Sequence, residues 1–308
     1  MNTWTRTGPV VVEVDGSTDG LRIVDYAARE ALRAGAELLL VAPYHNYPAY
    51  APMMPLYDPQ GAAAGAEEIL RQAVEFVRDE YGADLKVSTT AREGSRLRAL
   101  QTAARDARVL VVAREQDSGP AGIVSAQGNL ALAGRASCPV VVVPARGTPA
   151  AAGSGVVVGI DGTPLSLEAV EFAFRTAAER GVNLTVVHSH RHPYQRHVAE
   201  KGTWQERAGL TVSETLAGWH EEYPQVIVTR LLTTRPVVAA LAHESRQAAL
   251  VVVGAHAGPL PIGDPVTRRT IAELTCPVAV VAHHVTPAER ARWRRTLSST
   301  PDVVCTIR

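Results

Sequence analysis

The residues best suited to bind a metal ion are the histidines, and all of them except His45 lie in the second half of the chain. Four of them fall close together: His188, His190, His192 and His197. Histidine is a common metal ligand, and alternate residues of an extended segment share one face. However, Pro193 interrupts the segment, and no cysteine or carboxylate completes a recognisable ligand spacing. The pattern therefore favours histidines at the surface or at the rim of a site, without a metal.

The chain has none of the common sequence signatures of catalysis. It lacks the Gly-x-Ser-x-Gly turn of hydrolases, the Gly-x4-Gly-Lys-Ser/Thr loop that holds phosphates and the His-Glu-x-x-His pair of zinc proteases. The Ser-Gly-Gly-x-Asp-Ser signature of α/β pyrophosphatases is also absent, because Glu13-Val-Asp-Gly-Ser17 stands at its place. We therefore expect a protein that is not an enzyme.

Tyrosine and methionine are concentrated in a proline-rich segment, Pro43–Pro59, which follows the second predicted strand. Its members are Tyr44, Tyr47, Tyr50, Met53, Met54 and Tyr57. Such side chains could cover a flat ligand at the carboxyl end of a sheet, where open α/β proteins bind ligands. The favoured interpretation is an adaptable loop that packs on its own domain or on the partner domain.

Two matching segments place an aspartate beside a glycine and a hydroxyl residue, directly after an apolar β-branched run. They are Asp15-Gly-Ser17, after Val10–Val14, and Asp161-Gly-Thr163, after Val156–Ile160. Aspartate, serine and threonine accept hydrogen bonds from backbone N–H groups at turns and helix starts. These segments therefore predict a turn and a helix cap after the first strand of each half.

The elements that position these residues alternate between strands and helices, and their order repeats. The predicted strands are Val10–Val14, Leu38–Ala42, Leu85–Thr89, Val109–Ala113, Val140–Val143, Val156–Ile160, Leu184–His188, Val226–Leu232, Leu250–Gly254 and Val278–Ala282. Among the predicted helices are one from Leu21 to Gly35 and Glu67–Tyr81, Ser95–Arg105, Leu165–Arg180, Thr203–Tyr223, Pro236–Arg246 and Thr267–Leu274. This alternation predicts an α/β fold with two tandem open parallel five-stranded sheets, flanked by helices.

The repeat extends to local sequence and predicts two copies of one domain. Ala136-Ser-Cys-Pro-Val-Val-Val-Val143 returns as Leu274-Thr-Cys-Pro-Val-Ala-Val-Val281. We expect domains at residues 1–147 and 154–285, joined by a linker rich in glycine and alanine, and a C-terminal extension at residues 286–308.

Composition excludes several classes of partner. The 308 residues carry 31 basic and 31 acidic side chains, so the formal net charge is zero. We therefore expect no long-range attraction to nucleic acid or to an anionic membrane. Only three cysteines are present, which is typical of a reducing cytosol, and the N-terminal segment does not resemble a signal peptide. A cytoplasmic protein is predicted.

The order and spacing of these motifs resemble the universal stress protein family. The matching features are Asp-Gly-Ser/Thr after the first strand, a loop after the fourth strand and Cys-Pro-Val at the start of the fifth, in both copies. The resemblance covers roughly residues 8–145 and 154–283 and implies a tandem member with a Rossmann-like, five-stranded parallel sheet in each copy. Some members of this family bind ATP and others do not.

ATP-binding members carry a loop of the form Gly-x2-Gly-x9-Gly-Ser/Thr after the fourth strand. The glycines let backbone N–H groups approach the phosphates, and the hydroxyl adds a donor at a helix start. In the first copy these positions hold Ala113, Gln116, Ala126 and Gln127. In the second copy they hold Gly254, Ala257, Asp264 and Pro265, in a loop that is three residues shorter. A carboxylate repels phosphate and proline has no N–H, so both phosphate sites are expected to be degenerate, the first more completely. Glu13, which replaces the glycine found at Gly159, adds a further carboxylate.

The resemblance implies a candidate nucleotide pocket in the second copy. Its residues are Asp161, Gly254, His256 and Thr267, with Asp15 as the counterpart in the first copy. In ATP-binding relatives the matching aspartate lies by the adenine and ribose, whereas capping of the turn is the favoured role here. We expect no cofactor, or only weak ATP binding, in a stress-response protein that acts by binding or interaction. A weak ATP-binding regulatory module is the alternative, and slow ATP hydrolysis is the third.

The last strand of each copy, Val140–Val143 and Val278–Val281, is entirely apolar. An uncovered apolar edge strand promotes association. In the family this strand often pairs two domains, so the resemblance implies that the two copies pair with each other within the chain. A homodimer of the whole chain and unidentified protein partners remain open.

Overall fold

The computed structural model of the protein describes residues 7–17, 20–44, 59–114, 128–144, 153–163, 166–189, 204–256 and 265–283. The strands are β1 (Val10–Glu13), β2 (Leu38–Tyr44), β3 (Val87–Glu93), β4 (Val109–Ala113), β5 (Val140–Val143), β6 (Gly155–Ile160), β7 (Leu184–Ser189), β8 (Val228–Thr233), β9 (Ala248–His256) and β10 (Val278–His283). The helices are α1 (Gly20–Ala34), α2 (Pro59–Tyr81), α3 (Arg96–Ala103), α4 (128–133), α5 (Leu167–Arg180), α6 (Trp204–Leu216), α7 (Trp219–Glu222), α8 (Val237–Glu244) and α9 (Pro265–Glu273). The predicted alternation of strands and helices is therefore confirmed in both halves.

The strands form one continuous sheet in the order β3-β2-β1-β4-β5-β10-β9-β6-β7-β8. Neighbouring strands are parallel within each half. At the centre β5 and β10 run antiparallel, with Val140 opposite Val280. The two predicted five-stranded sheets are thus the halves of a single ten-stranded sheet. The pairing of the two terminal strands that the resemblance implied is confirmed, and it covers both apolar edges.

Helices cover both faces of the sheet, which explains why inner strands such as β4 and β5 are nearly continuous apolar runs. Every residue of β5 and β10 is buried. One hydrophobic core lies under α1, α2 and α5, and the other lies under α3, α8 and α9; each core runs through both halves. The fold therefore places the carboxyl ends of parallel strands at two points, one in each half, where a site can form.

Some predicted boundaries are wrong. The strand predicted at Leu85–Thr89 is β3, which covers Val87–Glu93, because a partly exposed edge strand lacks the apolar run that marks a central strand. The helix predicted at Thr203–Tyr223 is two helices, since Gly218 between α6 and α7 has a φ of 85°, a left-handed conformation that ends a helix. The helix predicted from Glu67 begins at Pro59, a residue well suited to a first helical position.

Charged side chains join the halves beside the central strand pair. On α5, Arg180 Nη2 donates a hydrogen bond to the Tyr26 hydroxyl at 2.9 Å and lies 3.0 Å from Glu30 Oε1, and both partners are on α1. The Arg180 side chain is only 7% exposed. Burial raises the pKa of Tyr26 to about 12, although the Arg180 charge opposes this rise. A second ion pair joins Arg108 of the first half to Glu179 of the second. The contacts of Arg180 fix α1 against α5, and the pair of Arg108 and Glu179 ties the start of β4 to α5.

Several predicted features lie outside the described residues. They include residues 45–58 of the tyrosine-rich segment, most of both loops that follow the fourth strand of each copy, and the extension at residues 286–308. Among the helices that the structure describes, none is both long and apolar enough to cross a membrane.

Candidate functional site

A cavity of about 440 Å³ opens in the second half at the carboxyl ends of β6 and β9. These strands are neighbours in the sheet, but the chain continues from β6 to β7 on one side and from β9 to β10 on the other. A crevice forms where the strand order reverses in this way, and ligands of open parallel sheets bind at such points. The volume falls within the range of small-molecule sites.

The cavity is lined by both apolar and polar residues. The apolar side chains, which form its apolar wall, are those of Val237, Val238, Leu241, Val253 and Val266. The polar residues of the lining are Asp161, Ser166, Ser189, Thr267 and Arg269. An apolar lining with a few polar groups is the usual composition of a site for a small organic ligand.

Two glycines, Gly159 and Gly254, line the cavity near the ends of neighbouring strands. A Cβ atom at Gly159 would lie 3.3 Å from Leu241 Cδ1, so any larger side chain would project into the crevice. The sequence prediction named Gly254 for a phosphate loop, and the structure places it on the cavity.

Asp161 is held in a tight turn by three hydrogen bonds to one carboxylate oxygen. Its Oδ1 accepts from Thr163 N at 2.8 Å, from Thr163 Oγ1 at 2.8 Å and from Ser166 Oγ at 2.7 Å. Burial raises the pKa of the Asp161 carboxyl, but the hydrogen bonds from Ser166 and Thr163 outweigh burial and hold that pKa below its ordinary value. Asp161 is therefore an anion at neutral pH. It combines the predicted turn role with a place in the cavity.

Thr267 connects the second strand of the crevice to the helix that follows it. Its Oγ1 donates to the Gly254 carbonyl oxygen at 3.2 Å, and the residue is almost fully buried. The hydroxyl thus fixes the first turn of α9 against the end of β9. Asp161, Gly254 and Thr267, which are distant in sequence, all line one cavity.

Of the predicted histidine cluster, His188 is the member that lies within the described residues. It is buried, so a surface position is wrong for it, and its Nδ1 lies 3.1 Å from the carbonyl oxygen of Ile160, a residue that lines the cavity. It ends up inside because it continues the apolar run of β7. His256 is the last residue of β9, directly after the cavity residue Ala255. His190, His192 and His197 lie outside the described residues.

Within the described residues, no three histidine, cysteine, aspartate or glutamate side chains come together in a way that could hold a metal ion. Cys138 and Cys276 are both buried. Burial raises the pKa of the Cys276 thiol to about 12, so this thiol is protonated and a poor nucleophile at neutral pH.

A network of three side chains occupies the equivalent crevice of the first half. Arg96 Nε donates to Glu13 Oε1 at 2.6 Å, and Arg96 Nη2 donates to Glu13 Oε2 at 2.7 Å. Arg96 Nη2 also donates to Asn129 Oδ1 at 3.1 Å, and Asn129 Nδ2 donates to the Ala113 carbonyl oxygen at 3.0 Å. Asn129 is fully buried.

Each member of this network replaces a residue of the cavity. Glu13 stands where the second half has Gly159, two residues before the aspartate. Arg96 and Val237 are the first residues of α3 and α8, and Asn129 and Thr267 are equally distant from Cys138 and Cys276. The network therefore fills the space that stays open in the second half.

In the described part of the first half, the aspartate turn is kept. Asp15 Oδ1 accepts hydrogen bonds from Ser17 N at 2.9 Å and from Ser17 Oγ at 2.7 Å, and Ser17 Oγ accepts from Gly20 N at 3.0 Å. This is the turn and cap that the sequence predicts. Asp15 belongs to the opposite half of the sheet and is not part of the cavity at Asp161.

Sequence reasoning missed Arg96, Asn129 and Ser166. The contrast between Glu13 and Gly159 was visible, but the prediction treated Glu13 as a bare carboxylate that repels phosphate. In the structure its charge is neutralised by Arg96, so Glu13 acts by filling the crevice. Arginine at the start of α3, where the other copy has valine, was the available signal.

Comparison with known proteins agrees with the repeat. A model described as the universal stress protein family matches residues 7–144 and 155–282. A universal stress protein of Mycolicibacterium smegmatis is 33% identical over 288 residues, which cover 88% of this chain and 96% of that protein. A universal stress protein of Mycobacterium tuberculosis is 31% identical over 255 residues, which cover 80% of this chain and 86% of that protein.

Solved structures show the same fold. A universal stress protein from Archaeoglobus fulgidus superposes with a TM-score of 0.66 at 14% identity, over 90% of this chain and 97% of that chain. A protein described as a putative universal stress protein from Pseudomonas aeruginosa gives a TM-score of 0.55 at 17% identity. The superposition covers 95% of this chain and 98% of that chain. The double family match, the relatives and the repeated fold agree: the chain belongs to the universal stress protein family and carries two of its domains in tandem.

Proposed function

We propose that this protein acts by binding, as a stress-response protein in which only the second half carries a small-molecule pocket. The observation that supports the proposal is the difference between the two halves. One crevice is an open cavity with an anionic aspartate and an apolar wall, whereas the other is filled by the ion pair of Glu13 and Arg96. Within the described residues of the first half the equivalent crevice is filled, so we propose that this half is a structural partner of the second.

The ligand class that we propose is a nucleotide, held weakly. The apolar wall suits a flat base, and the Asp161 carboxylate can accept hydrogen bonds from hydroxyl or amino groups. The loop positions that bind phosphate in ATP-binding members of the family oppose tight binding here. Asp264 adds a negative charge, and Pro265, the first residue of α9, has no N–H to donate. The first half does not fit a nucleotide, since Glu13 and Arg96 occupy its crevice.

Titration calorimetry of the full chain with Mg-ATP tests this proposal. We expect an affinity no tighter than about 100 μM, which corresponds to roughly −5.5 kcal/mol. Asp161→Ala should weaken binding, because it removes the acceptor in the cavity. Asp15→Ala is the matched control, since it breaks the equivalent turn in the half whose matching crevice is filled by Glu13 and Arg96, and it should leave the affinity unchanged. A low-micromolar affinity, or a larger effect of Asp15→Ala, would contradict the proposal.

Slow ATP hydrolysis is the alternative from another class of function. A general base works best with a pKa near the operating pH, whereas the pKa of Asp161 is lowered and one of its oxygens already accepts three hydrogen bonds. We therefore propose that no catalysis occurs. Release of phosphate from ATP by the full chain, abolished by Asp161→Ala, would favour the hydrolase instead.

We further propose a cytosolic location and no nucleic-acid or membrane partner, in keeping with the zero net charge and the sparse cysteines. Because β5 and β10 cover each other, the outer strands β3 and β8 are the free edges of the sheet within the described part of the chain. A homodimer or another protein partner would have to use surfaces other than the central pair.

A further inference from the structure

Arg114 belongs to the first half, yet its side chain reaches a helix of the second half. It follows β4 directly, and its backbone N donates to the Val143 carbonyl oxygen at 2.8 Å, which anchors it in the sheet. Its Nη1 lies 2.6 Å from the Leu274 carbonyl oxygen, 3.0 Å from that of Ile271 and 3.4 Å from that of Ala272. All three acceptors are at or just beyond the C-terminal end of α9.

The end of α9 needs such a donor. The last carbonyl groups of a helix have no partner within the helix, and a cation beside them is favourable because the helix dipole is negative there. The guanidinium of Arg114 is partly buried and supplies both the hydrogen bonds and the charge. The equivalent residue of the second half is Ala255, so the first half receives no matching contact. The interaction thus runs in one direction, from the first half to α9.

The other end of α9 forms part of the cavity. Val266, Thr267 and Arg269 all line it, and Thr267 is tied to Gly254. The helix has only nine residues, so a change in the position of its C-terminal end is transmitted to its first turn. The contacts of Arg114 and the wall of the pocket are therefore two ends of one short rigid element.

We infer that Arg114 is a positioning residue of the second-half pocket, so that the pocket is incomplete without the first half. Arg114 does not line the cavity; it holds the helix that does. The choice of Mg-ATP as a probe rests on the proposed function, whereas the placement of α9 by Arg114 does not.

Hydrogen exchange of the full chain tests the inference without any ligand. In Arg114→Met, which keeps most of the side-chain volume, amides of residues 267–274 should exchange roughly tenfold faster than in the wild type. Arg114→Lys should be intermediate, because a compact ammonium cannot replace the planar guanidinium at three carbonyls. Arg180→Met is the matched control: it removes another buried arginine that crosses between the halves, but one that contacts α1. It should leave exchange in α9 unchanged.

A second measurement separates positioning from general stability. Arg114→Met should weaken Mg-ATP binding several-fold, and Arg180→Met should not, even if both lower the unfolding temperature. If the wild type does not bind Mg-ATP, the proposed ligand is wrong, and the exchange experiment still decides the role of Arg114. Unchanged exchange in Arg114→Met, or equal acceleration in Arg180→Met, would overturn the inference.

Discussion

Arg96→Met is expected to lower the free energy of unfolding of the protein by about 3 kcal/mol. The Glu13 side chain is only 9% exposed, and the Arg96 guanidinium binds both of its carboxylate oxygens. Removing the guanidinium leaves this carboxylate buried without its cation and takes a donor from Asn129. Because both cores run through both halves, the full chain should unfold as one unit, and its transition should fall by roughly 5 °C.

Two controls separate this network from an ordinary surface charge. Arg98→Met changes an exposed arginine on the same helix and should shift the transition by little. The double variant Glu13→Met with Arg96→Met removes both charges and should recover most of the loss, because a buried ion pair can be replaced by apolar side chains. The interpretation of the network as a filled site is wrong if Arg96→Met and Arg98→Met behave alike.

A fragment of residues 1–147 is expected to form a homodimer or to aggregate. In the full chain β5 lies between β4 and β10, and all four of its residues are buried valines. Without the second half, this strand becomes an apolar edge with unpaired N–H and C=O groups, which favours pairing with a second copy. The fragment also loses the contacts of Tyr26 and Glu30 with Arg180. Light scattering after size exclusion measures the outcome.

The control for the fragment experiment is to supply the second half of the protein as a separate chain. Co-expression with residues 154–285 should give a one-to-one complex, since β10 then covers β5 as it does in the intact chain. A stable, soluble monomer of residues 1–147 would show that the edge needs no partner, and the central strand pair would then have to stabilise the chain in another way.

The fold was predictable because its signals are local and occur twice. Runs such as Val109–Ala113, apolar at every position, mark strands that are covered on both faces. The pairing of β5 with β10 followed from the family resemblance together with two apolar terminal strands. The bounds of edge strand β3 were predicted wrongly because a half-exposed strand lacks the continuous apolar run by which strands were recognised.

The candidate site was predictable only where its residues end strands or begin helices. Asp161, Gly254 and Thr267 come together because parallel strands bring their carboxyl ends to one edge. The exchange of valine for arginine at the start of α3 was visible in the sequence, but its pairing with Glu13 was not, because the two residues are distant along the chain and belong to different elements. The role of Arg114 could not be predicted at all, because its partners are backbone carbonyl oxygens, which every residue carries.

The most direct measurement is the number of nucleotides that one chain can bind. Native mass spectrometry of the full chain, titrated with Mg-ATP, should show weak occupancy and no more than one nucleotide per chain. Gly159→Val should abolish this binding at a cost of roughly 1–3 kcal/mol in stability, because its side chain enters the cavity and packs tightly against Leu241. Two nucleotides per chain, or unchanged binding by Gly159→Val, would contradict a pocket confined to the second half.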